Sequence, residues 1–149
     1  MSGRVEALWR KRAHRGVMDP ASDVTMVAKK GIEGDANYGR SRRQVTLIEK
    51  EAFDRIAAEL PGTDPAMRRA NVMVSGIRLA ETRGKVLSLG GVRVRLLGET
   101  RPCERMDEQL PGLTAALDPE WRGGAHGVVL DDGSVRVGDE ARWEDPAAD

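Results

Sequence analysis

At 149 residues, with 40% hydrophobic and 32% charged side chains, the chain is sized for one domain that buries its own core and is too apolar to be disordered. Lys plus Arg and Asp plus Glu balance at 24 each, which argues against a strongly basic nucleic-acid binder, and aromatics at 3% leave little for a base-stacking platform. No apolar run of about 18 residues is present and no apolar segment follows the basic N-terminal residues, so neither a membrane span nor a secretory signal is expected and the reading is cytoplasmic.

The predicted elements, in chain order, start with an alternating run from Gly3 to Trp9, read as a strand. A basic stretch, Arg10 to Arg15, follows and includes His14; it reads as a solvated face. Val24 to Val27 is a short β-branched strand, and Gly31 to Asp35 is a glycine-punctuated turn. Gln44 to Ile48 is a strong strand that runs directly into a helix over residues 49–60. Phe53, Ile56, Ala57 and Leu60 supply the helical spacing there, and Pro61-Gly62 stops it. Asn71 to Val74 is another strand. Val86–Leu89 and Val92–Leu97, joined by Gly90-Gly91, predict a hairpin, because both turn residues can take positive φ. In that hairpin Val94 and Leu96 are expected to face the core, while Arg93 and Arg95 face water or a cleft. Met106 to Leu117 is weakly helical, interrupted at Pro111-Gly112. A last hairpin is expected from residues 127–130 to 134–137 through Asp131-Asp132-Gly133, followed by a strand over residues 140–143. The acidic tail, residues 145–149, is expected to fray. About eight short strands, one clear helix and one or two short ones point to a single, mostly β domain: a closed or nearly closed barrel.

The charge is unevenly spread. Residues 1–43 hold ten Lys/Arg against five Asp/Glu, and residues 131–149 hold two against seven. The single cysteine, Cys103, cannot form an intramolecular disulfide, and with only two histidines a Cys/His zinc site is nearly excluded. Arg101 and Arg105 flank Cys103 and Pro102 stiffens its loop. Nearby guanidinium charge favours the thiolate, the form needed in a nucleophile, a persulfide carrier or a soft-metal ligand. A buried structural cysteine is the competing reading. Arg43 and Arg69 are phosphate-type cations, and Asn71 offers the edge donors and acceptors that a polar heterocycle needs. His126, in a glycine-rich segment, has a proton-transfer imidazole. The plainer reading makes these solvated loop arginines, a turn residue and a loop histidine.

Taken in order, several motifs resemble the MOSC domain family, named for the C-terminal domain of molybdenum cofactor sulfurase. They are Gly31-Ile32-Glu33-Gly34-Asp35, then Arg43-Gln44-Val45-Thr46-Leu47-Ile48 with Glu51, then Arg69-Ala70-Asn71-Val72 with Ser75-Gly76. Gly90-Gly91-Val92, Arg101-Pro102-Cys103 and Gly133-Ser134-Val135-Arg136-Val137-Gly138-Asp139 continue the series. The resemblance spans about residues 3–143. It implies a pyruvate-kinase-type β-barrel, standing alone, with molybdopterin as cofactor. Cys103 would bind molybdenum or carry persulfide sulfur. Arg43, Arg69, Asn71 and Cys103 are expected to line one pocket with His126 at its rim as a second catalytic candidate, and Asp35 and Arg101 are further cofactor-binding candidates. Some members reduce N-hydroxylated compounds. A cysteine desulfurase or an external electron donor is the implied partner, and pyridoxal phosphate is an association of the family only. The alternative from another class is a small-anion-binding or adaptor domain with a structural cysteine.

Overall fold

Alternating burial builds the sheet. In the computed structural model, which describes residues 3–13, 16–102 and 105–144, strands of period two send every second side chain inward. The elements are β1 (Gly3–Lys11), β2 (Met18–Ala21), β3 (Asp23–Val27), β4 (Gly31–Ile32), β5 (Val45–Glu49), α1 (Lys50–Glu59), β6 (Val72–Ser75), β7 (Val86–Leu89) and β8 (Val92–Glu99). They continue with α2 (Arg105–Gln109), α3 (Leu113–Leu117), β9 (Ala125–Val129), β10 (Gly133–Arg136) and β11 (Glu140–Trp143).

Seven of these strands close a barrel. The order is β11-β7-β8-β9-β5-β6-β1, and β1 pairs back onto β11 at Gly3↔Ala141 and Arg4↔Glu140. Closure removes the sheet edges that would otherwise template aggregation. β2 hangs from β1 as an added strand, and Pro20 sits there opposite Trp9, as befits a strand with one free side. β10, β3 and β4 form a small separate sheet.

The only parallel pair among the described strands is β5 with β6. Parallel neighbours need a long crossover, and α1 supplies it. Covered by the barrel core on one face and by α1 on the other, β5 is buried at all five positions. Val5, Val45, Leu47, Val72, Val74, Val94 and Leu96 belong to the barrel core. A second apolar cluster outside it joins Ile48, Phe53 and Ile56 to Trp9, Met106, Leu113 and Leu117, so α1, α2 and α3 cap one side.

The β7–β8 hairpin forms as expected, with Gly90 at φ 58° and Gly91 at φ 94°. Val94 and Leu96 are buried and Arg95 is exposed. The expected hairpin between residues 127–130 and 134–137 does not form. β9 pairs with β5 and β8, whereas β10 pairs with β3, because the barrel and the small sheet each need a partner at that point. The spacing analysis also passed over β2 and the two-residue β4. In α1 the buried face is Ala52, Phe53 and Ile56, and Ala57 is exposed. No helix among the described residues is long and apolar enough to cross a membrane. His14, Cys103 and the tail over residues 145–149 lie outside the described residues.

Phe53 is the largest fully buried side chain of the outer cluster, at 2% exposed. Phe53→Ala is therefore expected to cost about 3–5 kcal/mol, read as a lowered urea midpoint at unchanged slope. A loss below about 1 kcal/mol would mean that the helical cap is not coupled to the barrel.

Candidate functional site

The outward face of the barrel carries the site. Val45 and Leu47 point into the core, so Thr46 between them points out. His126 on β9 lies directly opposite Thr46 on β5 and opposite Gly98 on β8, which turns its ring to the same outer face. The register of β8 shifts between Leu96 and Gly98, a bulge of the kind that re-aims side chains. A methyl group added at Gly98 would touch Arg83 Nη2 at 3.5 Å and His126 Cε1 at 3.6 Å. The bare glycine thus leaves the gap across which the guanidinium and the imidazole meet.

Around that gap is an open cleft of about 320 Å³ lined by Arg42, Arg43, Arg83, Leu97, Gly98, Glu99, Arg101 and His126. Four guanidiniums face one carboxylate. Glu99 lies 3.7 Å from Arg101 Nε, a loose pair at an exposed arginine. Arg42, Arg43 and Arg83 have no hydrogen bond or ion pair within the described residues. His126 Nδ1 is buried and likewise has no hydrogen-bond partner there. Burial first, then the positive charges of Arg43 and Arg42 and, more weakly, Arg83, pull the His126 pKa below its ordinary 6.5. The backbone at Glu99 pulls the other way.

Scaffold contacts keep these cations in place. Buried Gln44 donates from Nε2 to the carbonyls of Lys29 (2.9 Å) and Arg40 (2.7 Å) and accepts from the Val129 amide (3.0 Å). That pins the segment carrying Arg42 and Arg43 to the barrel. Arg68 donates to the carbonyls of Gly123 (2.8 Å) and Thr100 (3.0 Å), tying the end of β8 to the run-in of β9. Both hold the backbone on either side of the cleft.

The other residues singled out from the sequence lie elsewhere. Asn71 is 1% exposed and engaged on all sides. Its Nδ2 donates to the Trp9 carbonyl (3.2 Å) and Asp35 Oδ1 (2.9 Å), and its Oδ1 accepts from the Thr46 amide (3.1 Å) and hydroxyl (3.2 Å). Asp35, also buried, accepts in addition from the Lys11 amide (2.6 Å) and the Asn37 amide (2.9 Å). Their polar atoms are turned into the protein and offer no free edge to a ligand. Arg69 closes a 3₁₀ turn over residues 65–68 in the left-handed conformation, φ 64°. Its Nη2 is buried without a partner, and it sits near Lys11, whose pKa is lowered mainly by burial, with Arg69, Arg40 and Arg43 adding to this and Asp35 opposing it. Of the site residues expected from the sequence, Arg43, Arg101 and His126 line one cleft, whereas Arg69, Asn71 and Asp35 do not. Cys103 is outside the described residues.

The same reading missed Arg83 altogether. It comes from a polar loop before β7, in Thr82-Arg83-Gly84, with nothing local to distinguish it from a solvated arginine. Gln44, the anchor, was passed over as part of a strand.

This arrangement can bind an anion. The unpaired guanidiniums supply charge-assisted donors, and a neutral imidazole supplies a further donor or acceptor without adding like charge. The His126 shift gives a check. An imidazole whose proton is disfavoured in the folded chain binds it more readily when unfolded, so this group removes stability as pH falls below 6.5 towards the folded value, and contributes none above 6.5. An NMR titration is expected to place the His126 midpoint below 6.5, moving upward in Arg43→Ala. A midpoint at or above 6.5, insensitive to Arg43, would contradict the electrostatics described.

The sequence matches the MOSC domain over residues 33–142. Among solved structures, the YuaD protein of Bacillus subtilis superposes with a TM-score of 0.81 at 24% identity, covering 95% of this chain and 94% of YuaD. YiiM from Escherichia coli gives 0.69 at 15% identity, over 95% of this chain and 70% of YiiM. YiiM from Geobacillus stearothermophilus gives 0.72 at 17% identity, over 96% and 75%. At these identities the structural likeness carries the fold alone. No curated protein matches the sequence. The family match spans well over half of the chain, and the chain belongs to the MOSC domain family, which is associated with molybdenum-cofactor-related function.

Proposed function

We propose that this protein holds the anionic end of a molybdopterin-type cofactor in the arginine cleft and that the Cys103 thiolate serves the metal–sulfur end, as a molybdenum ligand or as a carrier of persulfide sulfur. The observation that carries the reading is the cleft itself: Arg42, Arg43 and Arg83 unpaired around an imidazole whose Nδ1 has no partner. Solvent-exposed guanidiniums gathered around one buried imidazole nitrogen fit a phosphoryl-type anion. When bound, the group would supply a soft, redox-active metal.

The protein's own residues would then divide the work. Arg42 and Arg43 would hold a phosphoryl group, with Arg83 and Arg101 facing the rest of the anionic end. His126, held largely neutral near neutral pH, hydrogen-bonds it without further repulsion. Positive charge around the cleft lowers the energy of a thiolate two residues beyond Arg101. As a sulfur carrier, Cys103 would attack the outer sulfur of a donor persulfide. The donor's S–S bond breaks, a new S–S bond forms at Cys103, and the donor leaves as a thiolate with no oxidant consumed. A cysteine desulfurase is a donor of the right class. Asn71 and Asp35 support the reading indirectly, by fixing the Thr46 end of the strand beside His126. A reductive activity on N-hydroxylated compounds would need an external electron donor.

Protein purified from a molybdenum-replete host is expected to carry molybdenum and pterin, by metal analysis and pterin fluorescence. Cys103→Ser should lower co-purifying molybdenum or persulfide sulfur by at least about tenfold, since a hydroxyl is a poor soft-metal ligand and forms no persulfide. Circular dichroism and the urea midpoint should stay unchanged. A Cys103→Ser protein with undiminished molybdenum and sulfane sulfur would end the thiolate role and leave an anion-binding or adaptor domain.

A further inference from the structure

We propose that the cleft is built for a diphosphate, two linked phosphoryl groups, and not for a single phosphate; the inference rests on reading the cleft as an anion site and specifies its ligand. The strand order runs β7-β8-β9-β5, so His126 on β9 stands in the middle. Arg42 and Arg43 reach in from the segment before β5, on one side. Arg83, from the loop before β7, and Arg101, just past the end of β8, reach in from the other. Neighbouring strands are about 4.8 Å apart, so β5 and β8 lie roughly 10 Å apart with the imidazole's strand between them, and β7, which Arg83 precedes, lies roughly 14 Å from β5.

Charge arithmetic points the same way. Among the described residues, four guanidiniums and the Glu99 carboxylate give the lining a net charge of plus three. A phosphate monoester brings about 1.5 to 2 negative charges and would leave one bank unsatisfied. A second phosphoryl group supplies the missing charge and the length to touch both banks. The centre suits the linking region: His126 Nδ1 is buried with no hydrogen-bond partner among the described residues, and the bare Gly98 leaves room between the Arg83 guanidinium and the ring. Leu97 is the only aliphatic side chain in the lining among the described residues, so the cleft recognises the charged part of its ligand and leaves the organic part to the open side.

Calorimetric titration of the full chain with inorganic phosphate, pyrophosphate and citrate, at one fixed ionic strength, tests this. Pyrophosphate is expected to bind about tenfold tighter than phosphate, through the added charge-assisted donors, and likewise tighter than citrate, a similarly charged anion of different shape. Arg83 is exposed and makes no hydrogen bond, so Arg83→Gln should fold normally. In that variant pyrophosphate affinity should fall to the level of phosphate, while phosphate itself, held by Arg42 and Arg43, should change by less than about twofold. Equal affinities for phosphate and pyrophosphate would overturn the proposal, as would citrate matching pyrophosphate or Arg83→Gln weakening both phosphates by the same factor. Cys103→Ser separates this inference from the thiolate reading. The pyrophosphate preference should survive in that variant whether or not molybdenum is lost, and its disappearance there would overturn the assignment of the preference to the cleft arginines.

Discussion

Like charges held together without an internal counter-charge set the terms for this molecule. Two unit charges about 7 Å apart repel by roughly 0.6 kcal/mol in water and by roughly 2.4 kcal/mol at an effective dielectric near 20. Arg42, Arg43 and Arg83 line the cleft with His126, where Glu99 is the only acid among the described residues and pairs loosely with Arg101. The guanidiniums themselves are solvent-exposed, so water and salt screen part of that repulsion. Their convergence depends on a backbone that cannot move away, and the closed barrel provides it.

The scaffold does this through buried polar contacts whose acceptors and donors are all matched. Gln44 bridges three backbone groups from three segments, and Arg68 bridges the ends of β8 and β9. The Asp35–Asn71–Thr46 network joins the end of β1, the loop over residues 33–38, β5 and the run-in to β6. Such networks are costly when broken, because each orphaned partner keeps its desolvation penalty, about 1–3 kcal/mol per group. Residues that resemble ligand readers by type are here the struts that aim the neighbouring strands.

That distinction explains what was legible in the sequence. Periodicity and glycine pairs located α1, β5, β7 and β8, because local pattern and tertiary burial agree there. Closure by β1 on β11 and the separation of β9 from β10 were not legible, since both depend on pairings between distant segments. Arg43, Arg101 and His126 were found as chemically apt residues near glycine or proline. Arg83 was not, for it reaches the cleft only because the β8 bulge and Gly98 open the space beneath it. Asn71 and Asp35 were found for the wrong geometry. An amide and a carboxylate look the same in sequence whether they face a ligand or a strand, and only burial with complete partners tells the two apart.

If the arginine cleft is an anion receptor held under electrostatic repulsion, relieving that repulsion should be visible in stability. The direct measurement is thermal unfolding of the wild-type chain and of Arg83→Gln, each with and without pyrophosphate. The account predicts that Arg83→Gln alone melts no lower than wild type, that pyrophosphate raises the wild-type midpoint, and that this rise is largely lost in the variant. A variant that melts lower without ligand yet keeps the full pyrophosphate stabilisation would contradict it.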